Sequence, residues 1–313
     1  MNETPQAAVM TAEPKTWSMW DRKPDPPAYR MQPRDVKILE AVFRHRFLTV
    51  SHIHALLGGS KARLALRCRV LWQDEFLERP KALRPTKILT EEIVYALGKK
   101  GAQYLDHLKK KGVAILDYLK PNVDIGELDW AETPKKQIGW PYIDHQLGIA
   151  SFMTAMQVAA HAKGIRFHWD GHFNRQQYRI TTPGDGAAVL PDAYFTLEVP
   201  GRGIAHHYLE IDRANVSLKR MQERYQRYFE FWKSGYGNGR SFKHFRVLTV
   251  TYDPDYMQSL RRAAQPIGRD HNHPSSWKAL MFTHAGAFDI HKPDRILESI
   301  WLYADGEAEI ALV

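Results

Sequence analysis

Residues Val189–Tyr228 read "VLPDAYFTLEVPGRGIAHHYLEIDRANVSLKRMQERYQRY". A Pro-Asp pair, Pro191 and Asp192, precedes one strand-like run, and Glu210 and Asp212 lie at the end of the next one. The interval from Asp192 to Glu210 has the length of one hairpin, so the two carboxylates can meet at the same end of a sheet. Because strand side chains alternate, Glu210 and Asp212 point to the same face. The stretch therefore predicts three clustered carboxylates.

Such a cluster suits chemistry on a phosphodiester. That bond needs its charge neutralised and a water or hydroxyl activated, and two or three carboxylates that hold Mg²⁺ or Mn²⁺ do both. We therefore expect Asp192, Glu210 and Asp212 to be metal ligands, with Mg²⁺ or Mn²⁺ as the cofactor. The alternative is a set of ordinary structural carboxylates at strand ends.

The helix predicted after the second strand, from Ser217 to Trp232, carries aromatic and basic side chains. Tyr225 and Tyr228 are three positions apart and share a face, with Arg220 and Arg224 beside them. This combination suits DNA, because bases stack on aromatic rings and phosphates pair with cations. Two other interpretations remain open: the tyrosines pack the helix onto the sheet, or one of them is a covalent nucleophile.

The composition describes a globular chain. Of its 313 residues 44% are hydrophobic and 12% aromatic, enough for sizeable cores. A single cysteine, Cys68, excludes a disulfide framework. No run approaches the apolar length of a membrane helix, and the N-terminus lacks a signal-peptide pattern. We expect a cytoplasmic protein without membrane insertion.

The positive charge is concentrated in one segment. Residues 33–112 contain 17 Lys and Arg against 8 Asp and Glu, which accounts for the whole net charge of +9. A compact segment with this excess is typical of a domain that binds a polyanion. A solvated basic surface is the alternative.

The same segment has the pattern of a winged helix-turn-helix. Three amphipathic helices are predicted, the third beginning after Ser60, and they are followed by two short strands around a basic turn and by a fourth helix. In this arrangement the third helix enters the major groove and the wing contacts phosphates. A winged helix that binds protein is the alternative. The predicted DNA contacts here are Lys61, Arg63, Arg67, Arg69, Lys81, Arg84 and Lys87.

The remaining chain alternates helix and strand. A long, largely buried helix is predicted from Trp140 to Ala162, followed by several strands, a helix and a further strand. We expect an α+β protein, in which a winged helix precedes a mixed α/β domain of restriction-endonuclease-like type. The predicted divisions are a flexible arm (1–32), the winged helix (33–112), a linker (113–137) and the α/β domain (138–313).

These features together resemble a known family. "PDAYF", "YLEIDR" and the helix with "RYQRY" are similar to the replication-relaxation family, which includes MobC-type relaxases and accessory proteins, and to PD-(D/E)xK nucleases. The resemblance runs from about Pro33 to Asp253. The matching positions are Pro191, Asp192, Glu210, Asp212 and Arg213, with His145 at a histidine often found on the preceding helix.

The resemblance implies a metal-dependent DNA-nicking protein of a mobile element, acting in plasmid mobilisation or replication initiation. Asp212 stands where these nucleases usually have lysine. Either Lys219, Arg220 or Arg224 supplies the missing cation, or Asp212 is an additional metal ligand, as the family's own Glu-x-acid pattern suggests. The catalytic residues implied are Asp192, Glu210, Asp212, His145 and Lys219, and further DNA contacts are Arg213, Arg220, Arg224, Tyr225 and Tyr228.

The expected partner is double-stranded DNA, with single-stranded or nicked DNA, a second copy of the chain and a relaxosome-type protein as further candidates. Two other functions remain open: a non-catalytic DNA-binding accessory protein with a degenerate nuclease-like domain, and a transcriptional repressor that uses only the winged helix.

Overall fold

The structure is a computed structural model that describes residues 20–24, 30–80, 92–115, 125, 139–181, 188–214, 216–234, 244–268 and 276–313. Three predicted DNA contacts, Lys81, Arg84 and Lys87, lie outside the described residues, as do most of the predicted arm and linker.

The N-terminal half consists of helices and short strands, most of them where the sequence predicts them. The elements are α1 (Pro33–His45), β1 (Leu48–Thr49), α2 (Val50–Leu57), α3 (Lys61–Gln73), β2 (Leu77–Glu78), β3 (Val94–Leu97) and α4 (Lys99–Lys110). The Thr49 and Ser60 side chains accept hydrogen bonds from backbone amides in the first turns of α2 and α3, which fixes where these helices begin. The strand β1 was not predicted. With two residues, it is too short to show an alternating pattern.

These elements enclose one core. The three strands form an antiparallel sheet in the order β1-β3-β2. Leu64, Cys68 and Leu71, the predicted apolar stripe of α3, are almost fully buried in the core with side chains of α1 and α4. The stripe explains why α3 packs with one face inward and leaves the opposite face to solvent.

The C-terminal half is built on a larger sheet. Its elements are α5 (Trp140–Ala162), β4 (Arg166–His168), β5 (Ile180–Thr181), β6 (Ala188–Val189), β7 (Ala193–Val199), β8 (Gly203–Asp212), α6 (Leu218–Lys233), β9 (Arg246–Thr251), α7 (Pro254–Gly268), β10 (Leu280–His284) and β11 (Leu302–Tyr303). The predicted α+β class is confirmed.

The six-stranded sheet has the order β11-β10-β9-β8-β7-β4, and β8-β9 and β9-β10 are its parallel pairs. One face packs on α5 and the C-terminal segment, and the other packs on α6 and α7. The hairpin β7-β8 is antiparallel, and the backbone of Asp192 donates to that of Leu209 (2.9 Å). The helices α5 and α6 therefore flank the strand ends that carry the carboxylates.

One large helix, α7, was not predicted from the sequence, although its first turn contains Asp255 and its apolar residues are regularly spaced. Pro254 stands where proline is favoured, at a helix start, but Pro266 lies inside the helix, where proline normally ends one. The strand-like run "QYRI" (residues 177–180) begins inside a 3-10 segment, His172–Tyr178, and only Ile180 and Thr181 pair as β5.

The two halves are in contact through polar side chains. Arg44 Nε donates to the Trp169 carbonyl oxygen (3.1 Å), and the Arg46 guanidinium lies 2.8 Å from His172 Nε2. The His52 ring, on α2, contacts the Ser151 hydroxyl of α5 (2.9 Å). The N-terminal helices are thus joined directly to the segment that supports the carboxylates.

Fragments of the predicted arm and linker also pack on the protein. Arg22 donates to the Trp72 carbonyl (2.8 Å) and pairs with Glu78 (2.6 Å), and Ile125 is fully buried. Parts of both segments therefore have fixed contacts.

None of the helices in the described part of the chain combines the length and the apolar composition that crossing a bilayer requires.

Candidate functional site

The three predicted carboxylates lie at one end of the hairpin β7-β8, on the face that α6 covers. Asp192, Glu210 and Asp212 are buried, with 7%, 4% and 4% of their surface exposed. Burial raises the pKa of both Glu210 and Asp212, and the charge of Asp192 adds to the effect, so the three groups lie within electrostatic reach of one another. All three side chains line the same cavity.

The carboxylates open into a cavity of about 490 Å³. Its lining contains acids, bases and a few apolar side chains from β8, α5, α6 and the His172–Tyr178 segment. The charged and histidine side chains are His145, Arg175, Asp192, Glu210, Asp212, Arg220, Glu223, Arg224 and Arg227. A cavity of this size with both signs of charge can admit a phosphate group and a small cation.

Asp192 is the most heavily bonded of the acids. One carboxylate oxygen accepts from the Ile211 amide (2.9 Å) and lies 3.1 Å from His145 Nε2, while the other accepts from Arg175 (3.2 Å). Burial alone would raise the pKa of Asp192, but these partners lower it below its usual range. Burial would likewise lower the pKa of His145, and Asp192 raises it on balance. Asp192 is therefore ionised, and His145 is biased toward its charged form.

Glu210 is held by α6. Its carboxylate pairs with Arg224 (2.8 Å) and accepts a short hydrogen bond from the Tyr228 hydroxyl. Burial raises the pKa of Glu210, against the lowering effect of Arg224. Burial would lower the pKa of Arg224, but the Glu210 carboxylate raises it on balance. The guanidinium also donates to the Leu190 carbonyl (2.6 Å), so Arg224 ties α6 to the strand entry.

Asp212 differs from the other two acids in its free oxygen. One oxygen accepts from the Ala214 amide (3.0 Å). The other is buried without a well-aligned hydrogen bond among the described residues, although the Tyr256 hydroxyl lies within reach of the carboxylate. Burial raises the pKa of Asp212 above its usual range. An unpartnered buried carboxylate oxygen is costly unless a cation or donor completes it, so Asp212 is the acid best suited to take a ligand.

Three arginines form a row on α6. Arg220, Arg224 and Arg227 stand at i, i+4 and i+7, hence on one helical face, and all three line the cavity. Arg224 is engaged by Glu210, and Arg220 is exposed. Such a row presents guanidinium donors at intervals that suit phosphate oxygens.

The metal prediction can be tested against this geometry. Among the residues that the structure describes, no three side chains of histidine, cysteine, aspartate or glutamate lie close enough together to enclose an ion. The predicted three-ligand set is therefore not preformed, because Glu210 is already occupied by Arg224 and Tyr228. Mg²⁺ is, however, usually held by one or two carboxylates together with phosphate oxygens and waters. Asp212 fits that smaller donor set, and Asp192 would join it by exchanging its contact with Arg175 (3.2 Å) for the ion.

The two tyrosines predicted to contact DNA are buried. Tyr225 and Tyr228 are exposed by 0% and 1%, and their hydroxyls contact Thr249 (3.1 Å) and Glu210. Neither ring offers a face to a base, and burial raises the pKa of both hydroxyls, which disfavours the phenolate a nucleophile needs. The open alternative, that they pack the helix on the sheet, agrees with these contacts.

Only some of the other predicted residues of this half lie at the cavity. Arg220 and Arg224 line the cavity, but Lys219 is exposed and is not part of the lining. Arg213 forms an ion pair with Asp144 and stacks on the Tyr252 ring (4.9 Å). Of the cations suggested to replace the missing lysine, the structure thus brings the two arginines to the cavity.

Two of the predicted DNA contacts on α3 form ion pairs within the protein. Arg63 and Arg69 are exposed, whereas Lys61 pairs with Glu92 (2.5 Å). Arg67 makes two hydrogen bonds to the fully buried carboxylate of Asp35, on α1. Arg67 therefore holds α3 against α1.

Three charged residues of the cavity lining were not predicted from the sequence: Arg175, Glu223 and Arg227. Arg175 lies in the 3-10 segment before β5 and contacts Asp192, and Arg227 continues the arginine row of α6. Arg227 could have been found from its i+7 spacing to Arg220. Arg175 had no comparable pattern, because its position depends on how the 3-10 segment folds back toward Pro191, whose carbonyl it contacts (2.5 Å).

The chain matches one known protein family over most of its length. A family model described as Replication-relaxation matches residues 39–244, more than half of the chain. No curated protein and no solved structure gave a match. The matched region contains α2, α3, α5, the β7-β8 hairpin with its three carboxylates, and α6 with its arginines. The chain belongs to the Replication-relaxation family.

Proposed function

We propose that this protein binds DNA through its N-terminal half and nicks one strand at the acid-lined cavity, during replication or relaxation of a mobile element. One observation carries the proposal. His145 of α5 and the hairpin residues Asp192, Glu210 and Asp212 line a single cavity together with the arginine row of α6. The family membership supports a role in replication or relaxation.

The N-terminal half supports DNA binding by its arrangement and charge. Helices α1 to α3 followed by the antiparallel strands β2 and β3 are the element order of a winged helix. On α3, Lys61, Arg63 and Arg69 are exposed, and Lys61 is paired with Glu92. We assign Arg63 and Arg69 to DNA contact.

The cavity supports chemistry on a phosphate. The row Arg220, Arg224 and Arg227 would bind the oxygens of one phosphodiester, and the buried carboxylates would lie on its other side. This division of anion-binding and acidic groups is what a restriction-endonuclease-like site requires. His145 faces the same cavity, and its raised pKa favours the charged ring that suits phosphate contact.

Asp192 and Asp212 would hold Mg²⁺ or Mn²⁺. The ion would supply a Lewis acid for the scissile phosphate and a bound water of lowered pKa. Glu210, held by Arg224, would keep the arginine row in place instead of completing the metal shell. This assignment replaces the three-carboxylate ligand set with two carboxylates and a phosphate oxygen.

The test is conversion of supercoiled plasmid to open circle. The plasmid carries the DNA that flanks this protein's own gene, and it is incubated with Mg²⁺ or Mn²⁺ and with wild-type, Asp212→Asn or Glu198→Gln protein. Asp212→Asn keeps the size of the side chain but removes its charge, so nicking should fall at least a hundredfold. Glu198→Gln removes a carboxylate from the opposite end of β7 and should nick at the wild-type rate.

A non-catalytic accessory protein is the second candidate, and the Glu210–Arg224 ion pair favours it because one acid is neutralised by the protein itself. This protein would shift the plasmid in a gel without nicking it in either metal. Nicking by the wild type that persists undiminished in Asp212→Asn would also overturn the assignment of this cavity.

A further inference from the structure

A tyrosine stands exposed beside the acid cavity. Tyr252 directly follows β9, whose last residue, Thr251, pairs in register with Asp212 of β8. It is 44% exposed, and it is the only aromatic residue among the large apolar side chains that are exposed in the described part of the chain. Exposed aromatic surface next to a charged cavity is unusual, because apolar rings are normally buried.

The ring is held in place by its neighbours. A methyl group added at Gly148 would stand 2.5 Å from the Tyr252 hydroxyl, so the helix α5 passes directly against the phenol. The Arg213 guanidinium lies 4.9 Å from the ring centroid and is itself paired with Asp144. Burial raises the pKa of Tyr252, so the phenol stays neutral and does not repel phosphates. A ring fixed in this way loses little conformational freedom when it binds a ligand.

The ring and the acids share one side of α5. Gly148, which touches Tyr252, is three positions after His145, which contacts Asp192. Residues three apart lie on the same helical face and about 5 Å apart along the axis. Tyr252 does not line the cavity, so a strand with one phosphate there would have to pass the end of β8 to bring a neighbouring base to this ring.

We propose that Tyr252 is a stacking platform for an unpaired DNA base that flanks the phosphate bound in the cavity. The inference rests on the proposed function and names the form of its substrate, a single strand. An unpaired base is required, because the bases of a duplex have both faces covered by their neighbours. Stacking is tolerant of sequence, since every base has a π-face. Tyr252 would thus supply the base contact that the buried Tyr225 and Tyr228 are unable to make.

The experiment measures binding without metal, so that it does not depend on cleavage. Wild-type protein, Tyr252→Phe and Tyr252→Leu are titrated in EDTA with a 20-nucleotide oligothymidylate that contains 2-aminopurine, and with a duplex of the same length. Phenylalanine keeps the ring and leucine keeps apolar bulk without it. We expect Tyr252→Phe to bind within twofold of the wild type. Tyr252→Leu should bind the single strand about tenfold more weakly and lose the quenching of 2-aminopurine fluorescence.

Duplex binding is the internal control, and both variants should match the wild type there. Tyr252→Trp, with a larger π-surface, should bind the single strand at least as tightly as the wild type, and it serves if the leucine variant fails to fold. Equal single-strand affinity of Tyr252→Leu and wild type overturns the inference, and so does a loss in Tyr252→Phe as large as in Tyr252→Leu.

The two proposals fail in different ways. If the wild type nicks plasmid but Tyr252→Leu keeps full single-strand affinity and quenching, the proposed function stands and the stacking platform is overturned. If the wild type does not nick but Tyr252→Leu loses affinity and quenching, the stacking platform stands and the nicking function is overturned.

Discussion

Arg224 and Glu210 form an ion pair (2.8 Å), and the loss of stability on removing one partner differs between the two residues. Glu210 is almost completely buried, so without Arg224 it would be an uncompensated charge or would have to take up a proton. Arg224 also donates to the Leu190 carbonyl, and that bond remains if Glu210 is neutralised. Loss of the arginine should therefore be more harmful than loss of the carboxylate charge.

We predict that Arg224→Met lowers the free energy of unfolding by about 3 kcal/mol, the cost of removing one partner of a buried pair. Glu210→Gln should cost less, and Arg224→Met combined with Glu210→Gln should recover part of the loss. Urea unfolding at pH 7 measures all three. Arg227→Met is the matched control, because Arg227 lines the same cavity without an ion pair to a described residue. A double variant no more stable than Arg224→Met would contradict the prediction.

At the scale of elements, the close approach of α5 to the end of β9 depends on Gly148. Alanine at this position would gain about 1 kcal/mol of helix propensity. Its methyl group would, however, stand 2.5 Å from the Tyr252 hydroxyl and 3.1 Å from the Ile211 side chain. Tyr252→Phe removes the oxygen that causes the closest contact.

We predict that Gly148→Ala lowers the free energy of unfolding of the wild-type chain. In the Tyr252→Phe chain the same substitution should raise the free energy of unfolding by about 1 kcal/mol. The comparison is a double-mutant cycle read by urea unfolding. The same destabilisation of both chains would show that the contact with Ile211, and not the phenol, decides the cost.

How far the sequence could predict these elements depended on whether their determinants are local. The hairpin was predictable, because alternation in β8 places Glu210 and Asp212 on one face, and the antiparallel pairing brings Asp192 across from Glu210. The caps at Thr49 and Ser60 were predictable from their neighbours. Arg175 was not, because its contact with Asp192 depends on the path of a 3-10 segment. Sequence position alone does not tell a tyrosine that packs into the core from one that stays exposed. Only the packing shows that Tyr225 is buried and Tyr252 is exposed.

For the whole molecule, the contact between the two halves contains buried histidines. His52 contacts Ser151, and His172 contacts Arg46. Burial lowers the pKa of His52 to about 4 and that of His172 to about 3. Both rings are therefore neutral in the folded protein at pH values where the unfolded chain binds protons.

The direction of the pH effect follows from those shifts. In the unfolded chain His52 titrates near its ordinary pKa of 6.5, and in the folded protein near 4. Between these values the unfolded state binds more protons, so stability is fully present above about pH 6.5 and is lost as the pH falls toward 4. From pH 7 to pH 5, His52 alone should remove about 2 kcal/mol.

We predict that His52→Gln, whose amide can still reach Ser151, is less sensitive to acid than the wild type by that amount. The measurement is urea unfolding of both proteins at pH 7 and pH 5. Carboxylates titrate equally in both, so the difference between the two pH responses isolates His52. Parallel losses in the two proteins would mean that His52 is already solvated in the folded state. A smaller loss in the variant would show that protonation of His52, at the contact between the two halves, accounts for the difference.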